Sequence, residues 1–107
     1  MGTFRKVAKT TDLEPGTATL VEIDGEKIAL FNVGGEFCAI DNTCTHRGGP
    51  LAEGVIEGDV VRCPWHGATY NVKTGEVLGV PAPRGVASYN VRVEGSDIEI
   101  EVPQDAG

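Results

Sequence analysis

Thr17-Ala18-Thr19-Leu20-Val21-Glu22-Ile23-Asp24-Gly25-Glu26-Lys27-Ile28-Ala29-Leu30-Phe31-Asn32-Val33 reads as two strands around a central Asp-Gly pair. Asp24-Gly25 is the strongest short hairpin signal in a sequence, because glycine reaches the positive φ that a tight antiparallel turn demands. Outward from this pair, Gly34-Gly35 turns the chain into a third strand, Glu36 to Ile40, and a strand at about Phe4 to Ala8 comes first. Toward the other end, Ala87-Ser88-Tyr89-Asn90-Val91-Arg92-Val93 places apolar residues at odd positions and polar ones at even positions. Glu94-Gly95-Ser96 then supplies a turn into Asp97 to Val102, which alternates again, so a second hairpin is expected there. The fold class is all-β and antiparallel, with a helix expected at most around Thr11 to Leu13.

With 107 residues the chain is one domain's worth, 1–107, large enough to bury a core without disulfide staples. Fifteen glycines and six prolines fit many tight turns and short strands. The formal charge of −7 argues against nucleic acid, whose phosphates need a basic face, and suits docking on a basic patch of another protein. No apolar run has the length of a signal peptide or a bilayer span, so no membrane partner is expected. Met1-Gly2 opens a myristoylation-like start, but Lys6 stands where Ser or Thr is wanted. Three cysteines, an odd number, fit a reducing compartment, and the cytoplasm is the expected location.

Between Asp41 and Pro83 the strand pattern breaks, apart from a short strand at Asp59 to Arg62. Gly, Pro, Thr and Asn dominate this loop-rich insertion, which holds both histidines and two of the three cysteines. Cys44-Thr45-His46 is followed by sixteen residues and then Cys63-Pro64-Trp65-His66. Each cluster sets one thiolate and one imidazole on a short loop. Two sulfur and two nitrogen donors suit zinc, or a two-iron cluster in which a His pair replaces two of the usual four cysteines. Zinc modules usually take two cysteines from one piece and two histidines from another. Here each piece gives one of each, which is the interleaving a binuclear centre calls for.

Cys-Thr-His-Arg-Gly-Gly-Pro-Leu (44 to 51) and Cys-Pro-Trp-His-Gly (63 to 67) resemble the two ligand boxes of the Rieske ferredoxin family. Val80-Pro81-Ala82-Pro83 resembles the family's proline loop, and the closing Tyr-x-Val-x-Val-x-Gly pattern (89 to 95) extends the likeness over essentially the whole chain. The resemblance implies a β sandwich, barrel-like Rieske fold with a cluster-binding subdomain at about 41–83. It also implies one Rieske-type 2Fe-2S cluster, with Cys44 and Cys63 on one iron and His46 and His66 on the other. No catalytic residue is expected.

The family also divides by residues that can be checked here. With no spare histidine, this chain lacks the means to hold the mononuclear iron of a ring-hydroxylating oxygenase. Membrane-anchored members carry two extra cysteines in a bracing disulfide, and Gly49 and Trp65 stand at those positions. High-potential members place a Ser at the position of Ala68 and a Tyr at that of Tyr70, whose hydroxyls donate to cluster sulfurs. These two clues oppose each other. Ala68, the missing disulfide and the acidic charge outweigh Tyr70 and imply a potential toward the low end of the family range of about −150 to +300 mV, somewhat above its floor because of Tyr70. Gly48, Gly49 and Gly67 are expected to allow close backbone approach. Arg47 is a candidate docking residue, Trp65 a shield or packing residue, and Cys38 a buried structural thiol. Glu53, Glu57 and Asp59 are read as a solvated acidic face.

The resemblance thus implies a soluble, monomeric one-electron carrier rather than an enzyme. A flavin or iron–sulfur reductase would be its donor and a Rieske non-haem iron oxygenase its acceptor. Two rival readings are a small accessory subunit of a nitrite reductase and a zinc-stabilised interaction module.

Overall fold

The computed structural model describes residues 2–23, 25–43, 50–64, 67–79 and 85–103. Among these, eleven strands form three antiparallel sheets. The expected first hairpin is present with its expected bounds: β2 (Thr17–Ile23) runs antiparallel to β3 (Glu26–Val33). Ile23 pairs with Glu26 across the turn, and Gly25 takes a φ of +85° that a side chain would resist. β4 (Glu36–Asp41) lies along the other side of β3, joined through Gly34 and Gly35, both also at positive φ.

β3 explains the layering. From Ile28 to Asn32 it is buried on both faces, so it lies in the middle of a stack rather than at its surface. Ile28 and Leu30, with Ala39 of β4, face Ile98 and Ile100 in one core. Those two isoleucines belong to β11 (Asp97–Pro103), which sits between β1 (Gly2–Lys9) and β10 (Val91–Glu94). Ala29 and Phe31, with Cys38 and Ile40, point the opposite way into a second core with Val61, Tyr70 and Val72. Each fully buried large side chain stabilises the fold by about 1.5–3 kcal/mol. The period of two along β3 therefore serves two interfaces.

The third sheet was not expected as a sheet. β5 (Val55–Glu57), β6 (Val60–Arg62), β7 (Thr69–Asn71) and β8 (Val77–Gly79) pair in sequence order, so the interval read as loop is a small meander. Only β6 had been expected. Three-residue strands are too short to display alternation, which is why the others were missed. One row across it, Ile56–Val61–Tyr70–Val77, is the face turned to the core.

Two further expectations are corrected. The helix considered around Thr11 to Leu13 is a single 3-10 turn, Thr10–Asp12, whose leading amide at Lys9 donates to the Asp12 carboxylate at 3.0 Å. The strand expected over 87–93 is two: β9 (Ser88–Tyr89) pairs with β4, whereas β10 pairs with β11. Asn90 lies at the crossing, with its carbonyl accepting from the Glu101 amide and its side-chain amide donating to the Glu101 carboxylate, both at 2.8 Å. No helix among the described residues is long and apolar enough to cross a membrane.

Candidate metal centre

Of the four proposed donors, Cys63 lies among the described residues, while Cys44, His46 and His66 lie outside them. So do Arg47, Gly48, Gly49, Trp65 and the Val80 to Pro83 segment. What the structure shows is how the chain holds the ends of the segments that carry them.

The first box is closed at its base. Thr43 and Pro50 form an isolated antiparallel bridge, which brings the two ends of the 44–49 segment side by side. Asn42, 6% exposed, is the fastener beneath it. Its carbonyl accepts from the Leu51 amide at 2.7 Å and its side-chain oxygen accepts from the Ala52 amide at 2.9 Å. Its own amide donates to the Lys27 carbonyl at 3.1 Å, tying the loop to β3. Leu51 fixes the arrangement from the apolar side, fully buried beside Ala29, Ile40 and Cys63 in the same core.

The second box is closed as tightly. The Cys63 amide donates to the Ala68 carbonyl at 2.7 Å, and the Gly67 amide donates to the Cys63 carbonyl at 3.1 Å. Gly67 accepts this reversal with a φ of +80°. The loop springs from the end of β6 and returns into β7, so its two ends inherit the rigidity of that ladder. Cys63 is 2% exposed and belongs to a core cluster with Leu51, Ala68 and Tyr70. A buried thiolate is well served by a metal as its counter-charge. The Cys–His, Cys–His donor set and this apolar, pinned position fit an iron–sulfur centre.

Ala68 and Tyr70 follow Cys63 into the core, both fully buried. The position where a hydroxyl was expected in high-potential relatives is therefore occupied by a methyl group packed inside. Cys38 is 6% exposed on β4, opposite Phe31, and its thiol pKa is raised first by burial and then by the nearby Glu36 carboxylate. It remains a neutral thiol in the core. The acidic residues between the boxes are solvated: Glu57 reaches Arg62 at 3.9 Å and Asp59 reaches Lys73 at 3.7 Å, all exposed. Pairs of this kind contribute little to stability.

A third set of contacts, not anticipated from the sequence, gathers where the chain returns after 80–84. The Val86 amide donates to the Gly75 carbonyl at 2.8 Å. The Asp41 amide donates to the Ala87 carbonyl at 2.9 Å, and one Asp41 carboxylate oxygen accepts from the Ala87 amide at 3.2 Å. The other accepts from the Tyr89 hydroxyl at 2.6 Å. The signal for it was slight: a carboxylate ending the apolar run Phe37 to Ile40, and a tyrosine in an otherwise aliphatic alternation.

Comparison with known proteins points to one family. Residues 3–90 match the family model described as Rieske [2Fe-2S] domain. A 3-phenylpropionate/cinnamic acid dioxygenase ferredoxin subunit from Shigella boydii is 50% identical over 78 residues, 72% of this chain and 74% of that protein. Among solved structures, the ferredoxin of carbazole 1,9a-dioxygenase from Nocardioides aromaticivorans superposes with a TM-score of 0.87 at 31% identity, over 92% of this chain and 96% of that one. A chain from the complex of reduced oxygenase and oxidized ferredoxin in carbazole 1,9a-dioxygenase superposes with a TM-score of 0.86 at 35% identity, over 91% of both chains.

Proposed function

This chain belongs to the Rieske 2Fe-2S domain family, and on that premise we propose that it carries single electrons to the terminal oxygenase of an aromatic-ring dioxygenase system. Its 2Fe-2S cluster supplies the reversible one-electron chemistry. Cys44 and Cys63 hold one iron, and His46 and His66 hold the other. The interval 41–83 is the cluster-binding subdomain, built around the β5–β8 meander. The chain performs no bond-making step of its own, so its work is to position the cluster, set its potential and present it to partners.

The observation that carries this reading is Cys63, buried in a loop pinned by two backbone hydrogen bonds and packed in the same core as Leu51 at the base of the other loop. Rigid supports of this kind keep reorganisation small when charge is gained or lost. The named relatives add the role: they are ferredoxin subunits, and one solved complex contains a ferredoxin with its oxygenase. A flavin or iron–sulfur reductase is the donor. The chain works as a monomer in the cytoplasm, and its charge of −7 suits steering toward basic docking patches. Ala68 at the hydroxyl position, the missing disulfide and the acidic charge favour a potential toward the low end of about −150 to +300 mV, with Tyr70 acting in the other direction.

The test is anaerobic purification followed by visible spectroscopy, electron paramagnetic resonance after dithionite, and reconstitution with a reductase and an aromatic-ring oxygenase. A brown protein with the spectrum of mixed nitrogen–sulfur ligation, required for substrate turnover by that oxygenase, is expected. Colourless, zinc-loaded protein would refute the carrier role. Individual Cys44→Ser, His46→Ala, Cys63→Ser and His66→Ala variants, each losing that spectrum, complete the ligand assignment.

A further inference from the structure

Asp41 and Asn42 are neighbours in sequence that grip two different parts of the site. Asn42 holds the base of the first ligand box through Leu51 and Ala52. Asp41 holds the returning chain through Ala87 and Tyr89, with three contacts between 2.6 and 3.2 Å. The return strand has little else in its ladder: β9 is two residues long, and its register with β4 is Ala39 to Tyr89 and Ile40 to Ser88. A short carboxylate–hydroxyl bond, half-buried, is therefore a large share of what fixes that strand. It sits three residues before Cys44.

We propose that Asp41 and Tyr89 are a positioning pair, whose hydrogen bond locks the return strand to the base of the first ligand box and thereby sets the reduction potential. Neither residue is a ligand. The pair acts through Asn42, Thr43 and the Thr43–Pro50 bridge, which hold the two ends between which Cys44 and His46 lie in the sequence. The inference rests on the ligand assignment above. Breaking the bond loosens that base and admits water beside the cluster. Water stabilises the extra negative charge of the reduced state, so the potential rises.

The experiment is redox titration of the full-length, cluster-loaded protein with its paramagnetic spectrum, for Tyr89→Phe, Asp41→Ala, their double variant and Asp41→Asn. Asparagine keeps a side-chain oxygen for the Tyr89 hydroxyl while removing the charge and replacing the oxygen that accepts from the Ala87 amide with an NH2 group. The expected result is an upward shift common to Tyr89→Phe, Asp41→Ala and the double variant. Its size is at least a threefold change in the oxidised-to-reduced ratio at the wild-type midpoint, about 28 mV for one electron. Asp41→Asn, which keeps the Tyr89 bond, shifts less than Asp41→Ala and Tyr89→Phe. The proposal is overturned if Tyr89→Phe keeps the wild-type potential and spectrum, or if Asp41→Asn shifts as far as Asp41→Ala, which would make the effect one of charge or of the Ala87 contact and not of the Tyr89 bond. Should Asp41→Ala fail to fold, Tyr89→Phe and Asp41→Asn still decide the matter. Wild-type protein without the Rieske spectrum would instead sink the ligand assignment, a separate outcome.

Discussion

The Cys63 amide donates to the Ala68 carbonyl at 2.7 Å, so the second ligand box closes on a residue whose methyl group is fully buried beside it. That contact makes Ala68 a natural place to retune the site. Ala68→Ser introduces a hydroxyl into an apolar pocket, where an unpartnered one would cost about 1–3 kcal/mol. Beside a cluster sulfur it gains a charged acceptor instead, and that bond strengthens in the reduced state. A differential bond of about 1.4 kcal/mol corresponds to about 59 mV for one electron. Redox titration of Ala68→Ser is expected to show a rise of that order with little loss of thermal stability in the loaded protein. A potential that stays put, with lower stability, would mean that the hydroxyl finds no sulfur.

The two described cysteines separate by role. Cys63→Ser should abolish the cluster spectrum, because a hard alkoxide replaces a thiolate at an iron. Cys38→Ser should keep the spectrum and lower unfolding stability by about 1–3 kcal/mol, since Cys38 packs in the core with Phe31 and Ile40 and a serine there is a buried polar group. Visible absorbance and denaturant unfolding on the two variants read both effects.

Gly67 and Gly75 both hold positive φ, +80° and +77°, but their surroundings differ. Among the described residues a Cβ on Gly67 meets nothing within 4 Å, so the expected cost of Gly67→Ala is the backbone strain, about 1 kcal/mol. A Cβ on Gly75 would collide with the Val86 carbonyl oxygen, which is backbone and has nowhere to go. Gly75→Ala therefore also breaks the approach that lets Val86 donate to Gly75. Chemical unfolding should place its cost at about 3 kcal/mol or more, well above that of Gly67→Ala. Equal costs would show that the chain around Val86 yields easily.

How much of this could be read in the sequence depended on length and locality. The β2–β3 hairpin was legible because Asp24-Gly25 and seven or eight flanking residues speak for it together. The proposed donors stand out in the sequence because Cys and His in an interleaved pattern have few other uses, although of the four only Cys63 lies among the described residues. The β5–β8 meander was not, since strands of three residues bounded by Gly58, Gly67 and Gly75 look like loop to any periodicity argument. Nor was the split at Asn90, because alternation runs on through it while the pairing partner changes from β4 to β11. Asp41 and Tyr89 lie 48 residues apart, and only tertiary structure brings such groups together.

Alkaline pH should be the direction in which the fold fails. Cys38, Lys73 and Tyr89 all have pKa values raised in the folded protein. Burial comes first for Cys38 and Tyr89, while Asp59 and then Glu36 raise Lys73. For Tyr89 the Asp41 carboxylate adds to burial, since the phenol must keep its proton to donate to it. A group whose pKa is raised on folding binds its proton more tightly in the native state. The stability this lends is complete below the unfolded value and is lost as pH climbs from there toward the folded one. Ordinary values of about 9, 10 and 10.5 for thiol, phenol and ammonium put the onset between about pH 9 and 10.5. Denaturant midpoints should thus be flat near neutrality and fall steeply above about pH 10. Tyr89→Phe has no proton to lose there, so its midpoint should start lower at pH 8 and decline less steeply than wild type above pH 10. Parallel slopes for the two proteins would show that the phenol keeps its ordinary pKa and that the fall belongs to other groups.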